Sequence, residues 1–555
     1  MAITIYQVLP RLFGNTNATN KPNGTFSENG CGKLADFTPT ALKAIKKMGF
    51  SHIWYTGVIE HATQTDYSDF GIKPNHPGVI KGMAGSPYAI SDYYDIAPDL
   101  ASEVPNRITE FEQLLARTHQ AELQVIIDFV PNHVARQYAS DAKPENVTNL
   151  GHDDRSDFAF SSLNNFYYIP YQNFTPQFDA KGYSEFPAKA TGNDQFTASP
   201  GINDWYETVK LNYGVDYQAG KIAHFDPIPD TWEKMYAILH FWAAKNVDGF
   251  RCDMAEMVPV EFWAWVIPKI KSVFPKLIFI AEVYNPDEYR NYIFNGKFDY
   301  LYDKVGLYDT LRSIISSQGA WATDITTCWQ AVQDIQPNML NFLENHDEQR
   351  IASDFFAKNP QKAIPAMLVS GLLNNASLMV YSGQELGERG MDAEGFSGID
   401  GRTTIFDYWS VDTLRTWVAG NCNNKVLTPH QKSLKLFYEK LIQLKMHEKS
   451  FGGLSYDLMW VNHQNEAFNP KYHFAFLRKE ANDLVLVLVN FEDADVDMGV
   501  IIPPHAFEFL KLKPSKKAKW RELFSDTILE QGLSYEDLFC VTVPKNNGLV
   551  LKLIQ

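Results

Sequence analysis

VIIDFVPNH, residues 125–133, carries the chain's main fold signal. Residues 125–130 form an apolar run interrupted only by Asp128, the pattern of a strand covered on both faces. Asn132 and His133 follow at its C-terminal end. Such a strand belongs to a parallel sheet whose crossovers are helices. Residues 108–121, just upstream, supply one, with Phe111, Leu114 and Leu115 at helical spacing.

The same unit recurs to either side. Residues 3–9, 52–55, 249–252, 277–281, 298–302, 339–343 and 377–381 read as further strands. Residues 39–48, 231–245 and 259–274 read as helices. Asp230 or Thr231 is the expected N-cap of the second, and Pro268 should kink the third or end it early. Eight βα units predict an α/β fold with a parallel sheet, either a closed (β/α)8 TIM barrel or a doubly wound sheet. Residues 133–230 break the rhythm. They are too long for a plain loop and are rich in Asn, Asp, Tyr, Phe and Gly, so an inserted domain after the third strand is expected. Past a helix at 431–447, short β-like runs at 484–490, 499–502 and 549–554 predict a C-terminal all-β sandwich. The chain thus divides into residues 1–132 and 231–450 for the barrel, 133–230 for the insert and 451–555 for the C-terminal domain.

Composition narrows the chemistry. The 555 residues are 45% hydrophobic and 21% charged, as in an ordinary globular protein. A formal charge of −16 argues against a nucleic-acid or anionic-membrane surface, which would need clustered Lys and Arg. A neutral substrate is compatible with it. The five cysteines have no CxxC spacing, which signals neither a zinc site nor a redox motif and suggests free thiols. No run reaches membrane-spanning length, and MAITIYQVLPRLFG lacks the basic and apolar regions of a leader, so a cytoplasmic location is expected. The number of subunits is left open.

Active sites of such barrels sit at the C-terminal strand ends. Here those ends carry Asp128, Asn132 and His133; Arg251 and Asp253; Glu282; and Glu344, Asn345, His346 and Asp347. Each cluster alone is ordinary loop chemistry. Together, in order, each after a strand candidate, they would fill one barrel mouth with carboxylates. Glycoside cleavage with retention needs such a set, with an ionised carboxylate to attack and a protonated one to donate, about 5–5.5 Å apart. Arg251, two residues before Asp253, faces the same side and would hold that carboxylate ionised.

These residues resemble the α-amylase family, glycoside hydrolase family 13. DFVPNH (128–133), GFRCD (249–253), AEVY (281–284) and FLENHD (342–347) match its four motifs in order. YQVLPRLF (6–13), SPYAISDYYDI (86–96) and VYSGQELG (380–387) add to the match. The resemblance implies that Asp253 is the nucleophile, Glu282 the general acid and base, and Asp347 the residue that stabilises the transition state. It further implies that Arg251 orients Asp253, that His133 and His346 bind sugar hydroxyls, and that Tyr88 stacks under the sugar ring. Asp128 becomes a structural partner of Arg251. The implied substrate is an α-1,4-glucan or maltooligosaccharide, hydrolysed with retention. An exo-acting α-glucosidase, a transglycosylase and a non-catalytic sugar-binding protein are the alternatives.

The departures concern the acceptor side and the metal. Glu256 and Met257 stand where many relatives have Lys and His, which alters the charge expected there, although Met257 could still offer a backbone carbonyl. Asn132 matches a calcium-ligating position, with Asp153, Asp154 and Asp157 as candidate partners for a structural calcium ion. Asn15, Asn17, Asn20 and Asn23 are weaker ligands, and no metal is expected at that loop. KLNYG (210–214) replaces a motif typical of exo-acting α-glucosidases. Tyr167, Tyr168, Tyr171 and Phe174 in the insert are candidate sugar platforms.

Overall fold

In the computed structural model, which describes residues 2–554, all eight expected strands form. They are Thr4–Val8 (β1), His52–Tyr55 (β2), Gln124–Phe129 (β3), Gly249–Cys252 (β4), Ile278–Ala281 (β5), Tyr300–Tyr302 (β6), Met339–Asn341 (β7) and Ser377–Tyr381 (β8). All pair in parallel and in sequence, and β8 pairs with β1, closing the barrel. Closure settles the choice that the repeating pattern left open. It also leaves no strand edge unpaired.

The outer ring is less regular than the strands. Pro39–Lys47 (α1), Arg107–Gln120 (α2), Asp230–Ala244 (α3) and Val260–Val273 (α4) follow β1 to β4. Thr38 caps α1 by accepting the Ala41 N–H. The cap of α3 is neither Asp230 nor Thr231. Pro229 takes that position, and Asp230 is the first helical residue, paired with Lys234 one turn on at 2.7 Å. Pro268 does not end α4 early. The buried stripe of Phe262, Trp263, Val266, Ile267 and Ile270 carries the helix through the missing hydrogen bond. No long helix follows β5, only short turns at Pro286–Glu288 and Asn291–Asn295. Asp309–Ile315 (α5) and Asp324–Ala331 (α6) follow β6, Ile364–Leu372 (α7) follows β7, and Pro429–His447 (α8) follows β8.

Between β3 and α3 the chain builds three small two-stranded pairs, including His133–Ala135 with Thr208–Lys210. A small cluster of Val79, Ile169, Phe174, Ala188 and Ala198 lies apart from the main core. Tyr167, Tyr168 and Phe174 are buried packing residues, whereas Tyr171 is 80% exposed. Beyond α8 come Leu454–Asp457 (β9), His473–Glu480 (β10), Asp483–Asn490 (β11), Val496–Val500 (β12), Lys519–Glu522 (β13), Ile528–Glu530 (β14), Phe539–Val543 (β15) and Asn547–Ile554 (β16). They form a six-stranded sheet, β9-β10-β11-β16-β13-β14, and a two-stranded one, β12-β15. The larger sheet packs on α7, and buried Arg478 donates to the Leu372 carbonyl at that helix's end. The five cysteines are unpaired. Among the described residues no helix is long and apolar enough to cross a membrane.

Candidate active site

Strand register assembles the site. Pairing of β4 with β3 sets Arg251 opposite Asp128, and its pairing with β5 sets Cys252 opposite Ala281. The ladder runs one residue past each strand. Asp253 N–H donates to the Phe129 carbonyl at 2.9 Å, and Glu282 N–H to that of Cys252 at 3.2 Å. Both carboxylates therefore stand on the barrel rim, held by backbone. Met254 next turns left-handed, with φ 43°, which aims its N–H at Glu282 Oε2, 2.8 Å away. A non-glycine residue there stores strain, as functional sites commonly do.

Arg251 is fully buried beneath these groups. Nη1 donates to Asp253 Oδ1 at 2.7 Å and lies 3.6 Å from Asp128. Nη2 lies 2.7 Å from Glu282 Oε2 but makes no aligned hydrogen bond. Nε donates to the Tyr302 hydroxyl at 3.2 Å, and the rings of Trp54, Tyr88 and Tyr302 surround the guanidinium. Asp128 accepts from Trp54 Nε1 and Gly57 N–H and serves as the expected structural partner.

The electrostatics follow from this crowding. Burial pushes Asp253 well above the usual carboxylate range, opposed by Arg251 and reinforced by Glu282 and Asp347. Asp347 is likewise raised, by burial and then by Glu282. Asp128 is pushed up to about 6, by burial against the pull of Arg251. One guanidinium cannot neutralise so many carboxylates, so the cluster keeps a proton and titrates as a unit. The aligned hydrogen bond from Arg251 favours the ionised form of Asp253. Burial, with the charges of Lys210 and Lys81, lowers His133 to about 3, and burial beside Arg251 lowers His346 as well. Both imidazoles are neutral near pH 7.

A cavity of about 320 Å³ opens onto these groups. Asp253, Glu282, Asp347, Tyr88 and His133 line it, so five of the seven expected catalytic and sugar-contacting residues meet there. Arg251 lies beneath them. His346 does not face the cavity. Its ring is held by Gln7 Nε2 at Nδ1 and by the Tyr88 hydroxyl at Nε2, and Nε2 lies 3.1 Å from Asp347 Oδ2. It therefore supports Asp347 from behind, because Tyr88 stacks on it at 5.1 Å and covers it. Asp347 is the most open of the three carboxylates, its side chain 41% exposed, and Arg402 Nε holds its backbone carbonyl at 2.6 Å. Glu344 is turned away, paired with Arg350 at 2.9 Å.

Other lining residues were not singled out from the sequence. Tyr284 donates to Glu282 Oε1 at 2.5 Å; its place two residues after Glu282 was a usable period-two signal. Trp205, with its ring 5.3 Å from His133, and the Lys81–Glu207 ion pair at 2.9 Å come from irregular segments with no such signal. Ile405 and Phe406 close the wall from the loop after β8. The Glu256 carboxylate accepts the N–H groups of Tyr284 and Asn285 at 3.1 and 3.0 Å and so braces the loop behind Glu282.

The calcium expectation meets a different arrangement. Asn132 Oδ1 accepts from the ammonium of buried Lys210. Asp154 spends its carboxylate on the N–H groups of Asn165 and Phe166, Asp157 pairs with Arg155, and Asp153 is exposed beside His152. None of the three joins Asn132. Among the described residues no group of three or more His, Cys, Asp or Glu side chains could hold a metal ion. These residues do not fit calcium at this position.

A family model of the alpha-amylase catalytic domain matches residues 7–425. Alpha-amylase MalA of Haloarcula japonica is 24% identical over 63% of the chain and 41% of its own length. Alpha-amylase 3 of Dictyoglomus thermophilum is also 24% identical, over 55% of the chain and 54% of its own. The chain thus spans about half the length of these curated relatives. Among solved structures, an alpha-amylase from Geobacillus thermoleovorans, complexed with acarbose, superposes with a TM-score of 0.65 at 18% identity, covering 100% of this chain and 98% of that one. At such identity the likeness concerns the fold.

Proposed function

The chain belongs to the alpha-amylase family, and from that premise we propose that it hydrolyses α-glucosidic bonds in α-1,4-glucans or maltooligosaccharides with retention of configuration. The observation that carries this reading is the single buried guanidinium spanning Asp253 and Glu282 at 2.7 Å each, at the floor of a cavity that Asp347 also lines.

In the first step Asp253 attacks the anomeric carbon. Oδ1 is occupied by Arg251, which leaves Oδ2 to attack. Glu282 gives its proton to the glycosidic oxygen, the C–O bond breaks, and the shortened glucan leaves as an alcohol. In its protonated form Glu282 can reverse the Tyr284 contact and donate to the phenol oxygen until the leaving group arrives. The glycosyl unit is now an ester of Asp253. In the second step the Glu282 carboxylate takes a proton from water, whose oxygen attacks the anomeric carbon and releases Asp253. Two inversions restore the α configuration. Asp347 stabilises the oxocarbenium-like charge from the open side. Neutral His133 can accept or donate a hydrogen bond to a sugar hydroxyl.

Asp253→Asn and Glu282→Gln test the roles. Each should lower maltooligosaccharide hydrolysis by about 10²–10⁴-fold or more. Glu282→Gln should recover much of the first step on a substrate whose leaving group needs no proton. NMR of the first product should show the α anomer. Near-wild-type hydrolysis by either variant, or a β anomer, would overturn the reading.

A further inference from the structure

Lys210 sits on the strand Thr208–Lys210 of the insert, and its side chain is 2% exposed. A buried lysine without partners is costly. This one has three oxygen neighbours, two of them hydrogen-bonded to the ammonium and the third an ion-pair partner. They are the Asn132 side-chain carbonyl, Asp194 Oδ1 at 2.8 Å and the Met257 backbone carbonyl at 3.1 Å. They come from the loop after β3, from the insert and from the loop after β4.

We propose that the Lys210 ammonium is a built-in cation that does the work of a structural divalent ion at the seam between insert and barrel, so that this seam takes no calcium. The charge count supports it. Lys210 and Asp194 together are neutral. A calcium ion added to the same oxygens would leave two positive charges uncompensated in a buried place, and calcium needs six to eight oxygen ligands where the ammonium has three. The seam matters for the cavity because His133 adjoins Asn132 and the Met257 loop begins at Met254, whose N–H holds Glu282. The sequence already pointed to Asn132 and Met257 as oxygen donors. What it did not reveal is that the cation they hold is covalently part of the chain.

Thermal unfolding of the full-length protein tests this directly, whatever its substrate. With excess EDTA, or with millimolar CaCl2, the wild-type Tm should stay within about 1 °C of its value in plain buffer. A Tm that falls in EDTA and returns with CaCl2 would overturn the proposal. Lys210→Ala removes the ammonium and leaves the oxygens, so its Tm should drop by about 5 °C or more, with CaCl2 restoring part of the loss. Lys210→Ala melting like wild type, or gaining no more from CaCl2 than wild type does, would also overturn it. Should Lys210→Ala fail to fold, Asp194→Asn keeps the test open. Its residue is partly exposed, and its Tm should fall by about 1–3 °C. No fall in that variant counts against the proposal.

Discussion

Replacing Arg251 with Lys asks whether one planar group must serve two carboxylates. The guanidinium reaches Asp253 and Glu282 through separate nitrogens, 2.7 Å each, and Tyr302 through a third. An ammonium on a shorter stem can keep the charge but not the fork. Losing one charge-assisted hydrogen bond costs about 1.5–3 kcal/mol, which converts to about a 10–150-fold loss in kcat/KM if the transition state bears it. The pH profile should move too. Arg251 is the main influence lowering Asp253 against burial, so weakening it raises the pH at which Asp253 ionises. Activity requires that ionised form, and the acidic limb of kcat/KM therefore shifts to higher pH. The assay is initial-rate kinetics on a chromogenic maltooligosaccharide across the pH range, with Tm measured beside it to separate loss of fold from loss of chemistry. A folded Arg251→Lys variant within twofold of wild type, with its acidic limb unmoved, would refute the reasoning.

Three further outcomes follow from the same geometry. Trp205→Ala, which removes the ring beside His133 on the cavity wall, should raise KM by about 5–30-fold, worth about 1–2 kcal/mol, with a smaller change in kcat. Glu60 is buried and pushed up to about 8, by burial and then by Asp92 and Asp95, so the native state holds a proton that the unfolded chain releases near pH 4. Its contribution to stability is fully present below about pH 4 and is lost as pH rises through about 8, so Glu60→Gln should flatten the fall in Tm across that window. Arg478→Met should lower Tm, since the carbonyls of Leu372, Phe451 and Gly453 lose their buried donor at a cost of about 3–5 kcal/mol, while kcat at low temperature stays unchanged. Scans at one fixed heating rate are the readout for both stability predictions.

The barrel was legible because its signal is local. Runs such as residues 125–130 are apolar but for Asp128 and are followed by polar residues at the mouth end of the strand. Asp253 and Glu282 stood out for the same reason, each directly after a strand, whereas Asp347 lies in the loop beyond β7 and was marked by the motif FLENHD. The ring of helices was harder to read, since helix existence depends on tertiary packing. Pro268 is tolerated by a buried stripe, and β5 is followed by turns. The sugar contact of His346 is implied by the resemblance alone, and strand pattern does not reveal that the Tyr88 ring stacks on it. Trp205, Lys81 and Glu207 lie in segments without period, brought to the cavity only by the insert's fold. Lys210 lies in KLNYG, yet its barrel-side partners Asn132 and Met257 are 78 residues upstream and 47 downstream, beyond any local pattern.

The most direct measurement is the site of the covalent intermediate. A 5-fluoro α-glucosyl fluoride slows the second step more than the first and lets the glycosyl-enzyme accumulate. Peptide mass spectrometry of the trapped protein should then place one glycosyl unit as an ester on Asp253, with release on adding water-competent acceptors and no adduct in Asp253→Asn. An adduct on Glu282 or Asp347, or turnover that inverts the anomer without any adduct, would contradict the account.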